Sequence, residues 1–151
     1  MKTISLLAVM LMGVSVWANG IAGLWTTVDD ETKEKKSVVR IYQHEGKYYG
    51  RIVELFKNKD AKAKLPGEPK ILGLDIIWNM KEDGAKFKGG KILDPKKGKV
   101  YSCEIWRDGA NLIVRGKIAF FGRNQTWLPY KNEKSLIDVA TPLVPKIPSV
   151  K

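Results

Sequence analysis

The chain of 151 residues holds one cysteine and one histidine. A lone Cys103 excludes an internal disulfide. It sits in the strand-like run VYSCEIW, where a small apolar buried role is expected. A catalytic thiol would need His44 as its base, and His44 stands beside a turn signal, the ordinary place for an exposed polar side chain. One histidine without clustered carboxylates does not make a zinc site. HExxH, GxSxG, the P-loop and CxxC are all missing. Glu54, Asp75, Asp94 and Glu104 are candidate carboxylates for glycoside hydrolysis, but no spacing pairs them. The expectation is a non-enzymatic protein with no catalytic residues, no metal and no cofactor.

Arginine is scarce as well. Of 27 basic residues only Arg40, Arg51, Arg107, Arg115 and Arg123 are arginine, so the net charge of +11 is carried by lysine. Recognition of phosphate geometry favours the arginine fork. Scattered lysines make a solvated surface instead, with at most a weak attraction to an anionic envelope surface. Nucleic acid is not an expected partner.

Long apolar runs are absent after residue 18. Before it, Lys2 and an apolar run from Ile4 to Val16 lead to Val16-Trp17-Ala18. This pattern predicts a secretory signal peptide over 1–18, helical while attached and cleaved after Ala18, so that the mature chain starts at Asn19. The run is shorter than the roughly 20 residues of a spanning helix. The protein is therefore expected to be exported to periplasm or medium and not to span the membrane after cleavage.

What fills the rest is a series of β-rich runs punctuated by glycine. Gly23–Val28 opens it. Ser37–Gln43 and Lys47–Phe56 flank His44-Glu45-Gly46 as a hairpin. Asp75–Met80, Ala85–Leu93, Lys99–Trp106, Asn111–Ile118 and Gln125–Tyr130 follow, separated by turn signals such as Asp94-Pro95 and Asp108-Gly109. No run has a convincing helical period. The stretch from Lys57 to Lys70 reads as a solvated loop with at most one helical turn before Pro66. The class is all-β: an antiparallel up-and-down barrel of about eight strands, since closure removes both exposed edges. The domain plan is 1–18 signal, 19–130 barrel and 131–151 an extended tail with Pro142, Pro145 and Pro148, pinned where Leu136-Ile137 or Leu143-Val144 meet the body.

Four ordered stretches carry a resemblance. They are Gly23-Leu24-Trp25, then Ile71-Leu72-Gly73-Leu74, then Gly89 to Asp94-Pro95 with Gly98-Lys99-Val100-Tyr101, and finally Leu112 to Gly116 leading to Phe121-Gly122-Arg123-Asn124-Gln125-Thr126-Trp127. Together they resemble domain-of-unknown-function family 2147, a family of exported bacterial proteins, over about Gly20 to Tyr130. Leu93 and Asn124 depart from its usual Tyr and Thr. The resemblance implies an exported domain and brings no assigned activity. Gly23-Leu24-Trp25 on the first strand, with a late arginine, is also similar to the closure device of lipocalin-like barrels. That similarity implies that an arginine covers the tryptophan at the closed end.

Arg123 is the expected partner of Trp25, with Gly23 and Gly122 allowing close approach where first and last strands join. Such a barrel is just wide enough for side chains or one small ligand. The tryptophans beyond residue 18 are Trp25, Trp78, Trp106 and Trp127, and five tyrosines accompany them. Trp78, Tyr49, Trp106 and Trp127 are the expected contacts of an apolar or amphipathic small molecule, with Trp78 near the mouth beside the long loop as a lid. The alternative is a filled core and a structural or interaction role in the cell envelope.

Overall fold

The computed structural model describes residues 20–132 and 141–151. The expected signal segment, its cleavage point and Leu136-Ile137 lie outside the described residues. Eight strands form one closed antiparallel barrel in chain order: β1 Gly23–Val28, β2 Lys35–His44, β3 Lys47–Leu55, β4 Asp75–Asp83, β5 Lys86–Asp94, β6 Lys99–Asp108, β7 Asn111–Ile118 and β8 Phe121–Pro129. Among the described residues no helix is long and apolar enough to cross a membrane.

The turns follow from local chemistry. Glu45 and Gly46 both take positive φ, 49° and 78°, the pattern of a two-residue hairpin whose twist matches its strands. The turns after β2, β4 and β6 gather at one end of the barrel with the start of β1 and the finish of β8. Those after β1, β3, β5 and β7 gather at the other. The loop between β3 and β4 contains no helical turn. It folds on itself through a single bridge between Lys62 and Lys70.

The interior is densely filled at the end where β1 begins. Trp25, Ile41, Met80, Phe87, Ile105, Leu112 and Trp127 are all buried there. Each such side chain contributes about 1.5–3 kcal/mol by leaving water. Gly90 makes room for this filling, because a Cβ at that position would collide with the Trp78 carbonyl and the Met80 sulfur. Gly50 faces inward too, where a Cβ would lie 3.1 Å from that of Ile77.

A second apolar layer lies outside the barrel wall. Six consecutive residues of β2, Ser37 to Tyr42, are buried, so both faces of that strand are covered. The C-terminal segment 141–151 crosses this outer face. Arg40 Nη2 donates to the Thr141 carbonyl. Arg51 Nη2 donates to the Val144 carbonyl at 2.8 Å. The Lys146 amide donates to Asp75 Oδ2 at 2.7 Å, and Leu143 packs against the core. The expected pinning by Leu143-Val144 is thus seen, through the Leu143 side chain and the Val144 carbonyl.

Candidate functional site

One end of the barrel is plugged. Trp25 sits on the inward face of β1, and its Nε1 donates to the Ile21 carbonyl at 2.8 Å. Over its indole lies the guanidinium of Arg107, with Cζ 5.1 Å from the ring centroid. Arg107 Nη1 donates to the Gly20 carbonyl at 3.0 Å. Its Nε and Nη2 both donate to Gly109, at 3.3 and 3.1 Å. One side chain thus joins the entering chain, the first strand and the turn between β6 and β7.

Arg123 is not the arginine that covers Trp25. Trp25 pairs with Pro129 at the far end of β8. The strand between Arg123 and Pro129 is roughly 20 Å long. Arg123 therefore belongs to the opposite end of the barrel, where its Nε meets Asp30 Oδ2 at 2.9 Å. Gly122 also belongs there, seated under the guanidinium of Arg115. Gly23 does lie at the plugged end, and its φ of 138° suits glycine.

The opposite end is open. β1 and β8 pair only through Trp25↔Pro129 and Thr26↔Leu128, with a further bond from the Tyr130 amide to the Leu24 carbonyl. Beyond these contacts the two strands part. An open cleft of about 560 Å³ lies in the gap, bordered by Val28 and Leu128, by Asp29 and Asp30, and by Lys33, Lys35 and Arg123. The Arg123–Asp30 pair stands beside it as a latch across the unpaired part of the seam. Asp29 is engaged by Lys36 at 2.7 Å and accepts from the amides of Glu31 and Thr32. These bonds, led by that from Lys36, hold its carboxyl well below the usual carboxylate range. Ile92, Tyr101, Gly116 and Gln125 occupy inward-facing positions at this end and are only partly buried. The base is thus sealed, while the inward-facing side chains at the opposite end are less deeply buried.

The four aromatic residues expected to share a ligand site are not brought together. Trp127 alone faces inward, fully buried, with its Nε1 donating to Gln125 Oε1 at 3.1 Å. Trp78 alternates with inward-facing Ile77 and pairs with exposed Lys91, so it lies on the outer face. There it is buried in one apolar cluster with Ala63, Leu65, Ile71 and Leu74 of the long loop. The loop thus packs on the barrel wall, and its Lys64 amide donates to the Pro95 carbonyl in the turn between β5 and β6, at the rim of the open end. Tyr49 is on the outer face as well, stacked on Tyr42 at 5.6 Å and donating to Asn79 Oδ1. Trp106 lies outside under the ammonium of Lys86, 4.7 Å from its ring centroid.

The carboxylates have separate partners. Glu54 accepts from Tyr130 OH, Glu104 pairs with Lys117 at 2.6 Å, and Asp94 caps the amides of Lys96 and Lys97. Asp75 accepts from Arg51 Nε at 3.0 Å, from Tyr42 OH at 3.0 Å and from the Lys146 amide. Burial, and then the Asp75 charge, push the Tyr42 hydroxyl pKa far up. Burial also opposes the charge of Arg51, but the hydrogen bond and charge of Asp75 outweigh it and raise its pKa. Among the described residues no group of three His, Cys, Asp or Glu is placed to hold a metal ion. Cys103 is buried inside the barrel, which raises its thiol pKa to about 12.

The family model described as "Uncharacterized protein conserved in bacteria (DUF2147)" matches residues 23–128. No curated protein matches the chain. A solved structure described as "Protein HP1028 from the human pathogen Helicobacter pylori belongs to the lipocalin family" superposes with a TM-score of 0.64 at 17% identity. The match covers 84% of this chain and 93% of that one. At that identity the likeness concerns the fold.

Proposed function

We propose, for a chain that belongs to the DUF2147 family and closes into a lipocalin-like barrel, that it is an exported, non-enzymatic binding protein for a small apolar or amphipathic molecule. The observation that carries this reading is the contrast between the two ends. The base is plugged by Trp25 and Arg107, while the mouth opens beside a cleft that mixes apolar and cationic side chains. Val28 and Leu128 offer an apolar wall, and Lys33, Lys35 and Arg123 offer positive charge. That combination suits an apolar body with an anionic head, because a few placed polar groups orient a ligand held chiefly by apolar contact. Export rests on Lys2, the apolar run to Val16 and Ala18.

Native mass spectrometry of protein purified from its own host tests the reading directly. A bound mass that leaves on denaturation is expected, and a fluorescent fatty acid should compete for the site. Leu128→Asp and Lys35→Glu should each weaken that competition, whereas the outer-face substitution Trp106→Phe should not. Protein that carries no ligand and takes up neither fatty acids nor neutral apolar probes would refute it. The packed lower half of the barrel favours a second reading, an envelope interaction protein without a ligand. The same measurement separates the two.

A further inference from the structure

The hairpin between β7 and β8 ends in three exposed apolar side chains. Ile118 is 57% exposed, Phe120 99% and Phe121 82%. Ile118 pairs with Phe121, so these two stand side by side, and Phe120 projects from the turn next to them, where the chain passes through Ala119 at a φ of 51°. Wetted aromatic side chains gathered at one place mark an interaction site. Immediately behind them runs a collar of cations: Lys117 pairs with Gly122, Arg115 with Asn124, and Gly116 with Arg123. The neighbouring turns at this end add Lys96 and Lys97 after β5 and Lys33 after β1. Within the collar Lys117 is paired with Glu104 and Arg123 with Asp30, and the other carboxylates Asp29, Glu34 and Asp60 are engaged by Lys36, Lys57 and Lys70. Lysine exceeds carboxylate in the long loop and in the β5–β6 turn.

We infer that this hairpin docks the open end of the barrel on an anionic phospholipid bilayer, with Phe120 and Phe121 entering the interface and the collar lying at headgroup level. Phenylalanine supplies the apolar contact, and lysine and arginine supply attraction to anionic lipid while their stems lie along the apolar boundary. Shape favours lipid over a protein partner. A convex tip of three side chains presents far less than the roughly 800 Å² per side of a specific protein interface. One weak signal gives only marginal, reversible binding, and an apolar insertion joined to a cationic patch is the two-signal combination that holds a protein on a bilayer. The mouth would then face the bilayer, but the docking itself does not depend on whether the cleft holds a ligand.

Flotation with vesicles tests this. Chain produced in its own host is mixed with vesicles of phosphatidylglycerol and phosphatidylethanolamine, or of phosphatidylcholine alone. Every variant carries the same N-terminus. Binding to the anionic vesicles is expected, weakened by salt, and low on phosphatidylcholine. Phe120→Ser with Phe121→Ser should lower it roughly tenfold, since two buried rings are lost. Arg115→Gln with Lys117→Gln should lower it by about fivefold for each charge near the surface. Lys47→Gln with Lys81→Gln removes equal charge near the plugged end and should change binding by less than about twofold. The inference is overturned if the phenylalanine pair leaves binding intact, if both vesicle types bind alike, or if the distant lysine pair matters as much as the collar. It is equally overturned if the tip captures a protein while the vesicles stay bare.

Discussion

The guanidinium of Arg107 lies over the indole of Trp25, with its central carbon 5.1 Å from the ring centroid. The two residues belong to β6 and β1, strands that do not pair with one another. The contact therefore crosses the base of the barrel instead of following its wall. Such a contact closes a loop of high sequence separation, and its loss should be felt in stability more than in local structure.

Arg107→Ala is expected to cost about 1–2 kcal/mol, combining the ring contact with a part-buried hydrogen bond to the Gly20 carbonyl and exposed ones to the Gly109 carbonyl. Arg107→Lys should cost less, because charge remains while the planar stack and the fork are lost. In a cycle with Trp25→Ala, the double variant should be more stable than the sum of the single losses predicts, by about 0.5–2 kcal/mol. Urea unfolding checks it, and strict additivity would mean that the two do not interact.

Arg123 should behave differently. Its side chain is 65% exposed where it meets Asp30, and an exposed ion pair contributes about 0–1 kcal/mol. Arg123→Ala is expected to move the unfolding midpoint little. Its effect should fall on ligand association, since the latch stands at the cleft. Stopped-flow mixing with a fluorescent fatty acid would reveal that effect as a change in rate. A large loss of stability with unchanged rates would return Arg123 to a structural role.

The strand count was legible because each turn carries its own chemistry, as at Glu45-Gly46 and Asp108-Gly109. β7 coincides with its expected span, while β8 begins at Phe121, four residues before the expected Gln125. Those residues contain a glycine and an exposed phenylalanine, so no alternation marks them as strand. The faces of β2 and β3 were not legible either. Segment 141–151 buries the outer side of the wall, and alternation disappears when both sides are covered. Tyr49 accordingly faces out while Gly50 faces in. Arg107 could have been found by counting turns. Successive turns alternate between the ends of an up-and-down barrel, which places the turn after β6 beside the start of β1 and Arg123 at the other end. A late place in the chain does not by itself bring Arg123 near the start of the first strand.

Asp75 is the polar anchor of the outer layer. Its fully buried carboxylate meets Arg51, Tyr42 and the Lys146 amide. Breaking such a pair leaves an uncompensated buried charge, so Asp75→Ala is expected to cost about 3–5 kcal/mol. Removing residues 141–151 should also lower the denaturation midpoint, because Asp75 loses a donor and Arg51 an acceptor. The Tyr42 hydroxyl should then titrate nearer its ordinary value, as burial is the main cause of its shift. Ultraviolet titration of the truncated chain measures this, and an unchanged midpoint with an unchanged tyrosine profile would show that the segment seals nothing.

Cys103 offers a test through pH. Burial, then the neighbouring Glu104 charge, raise its thiol from an ordinary 9.0 to about 12, against a smaller opposing effect of Lys117. The native thiol is thus held protonated, while the unfolded chain releases its proton near the ordinary value. Its contribution to stability is complete below that value and declines as pH rises through the window up to about 12. Unfolding experiments on the protein and on Cys103→Ala should therefore converge as the medium becomes alkaline, with the unaltered protein losing stability faster. Tyr42, Tyr48 and Tyr49 are raised too, chiefly by burial, but are common to both chains and cancel in the comparison. The thiolate is the reacting species, so iodoacetamide should label Cys103 slowly in the native protein near pH ~8 and rapidly in denaturant. Prompt native labelling, or parallel pH profiles for the two chains, would place the thiol at an exposed position and contradict its burial inside the barrel.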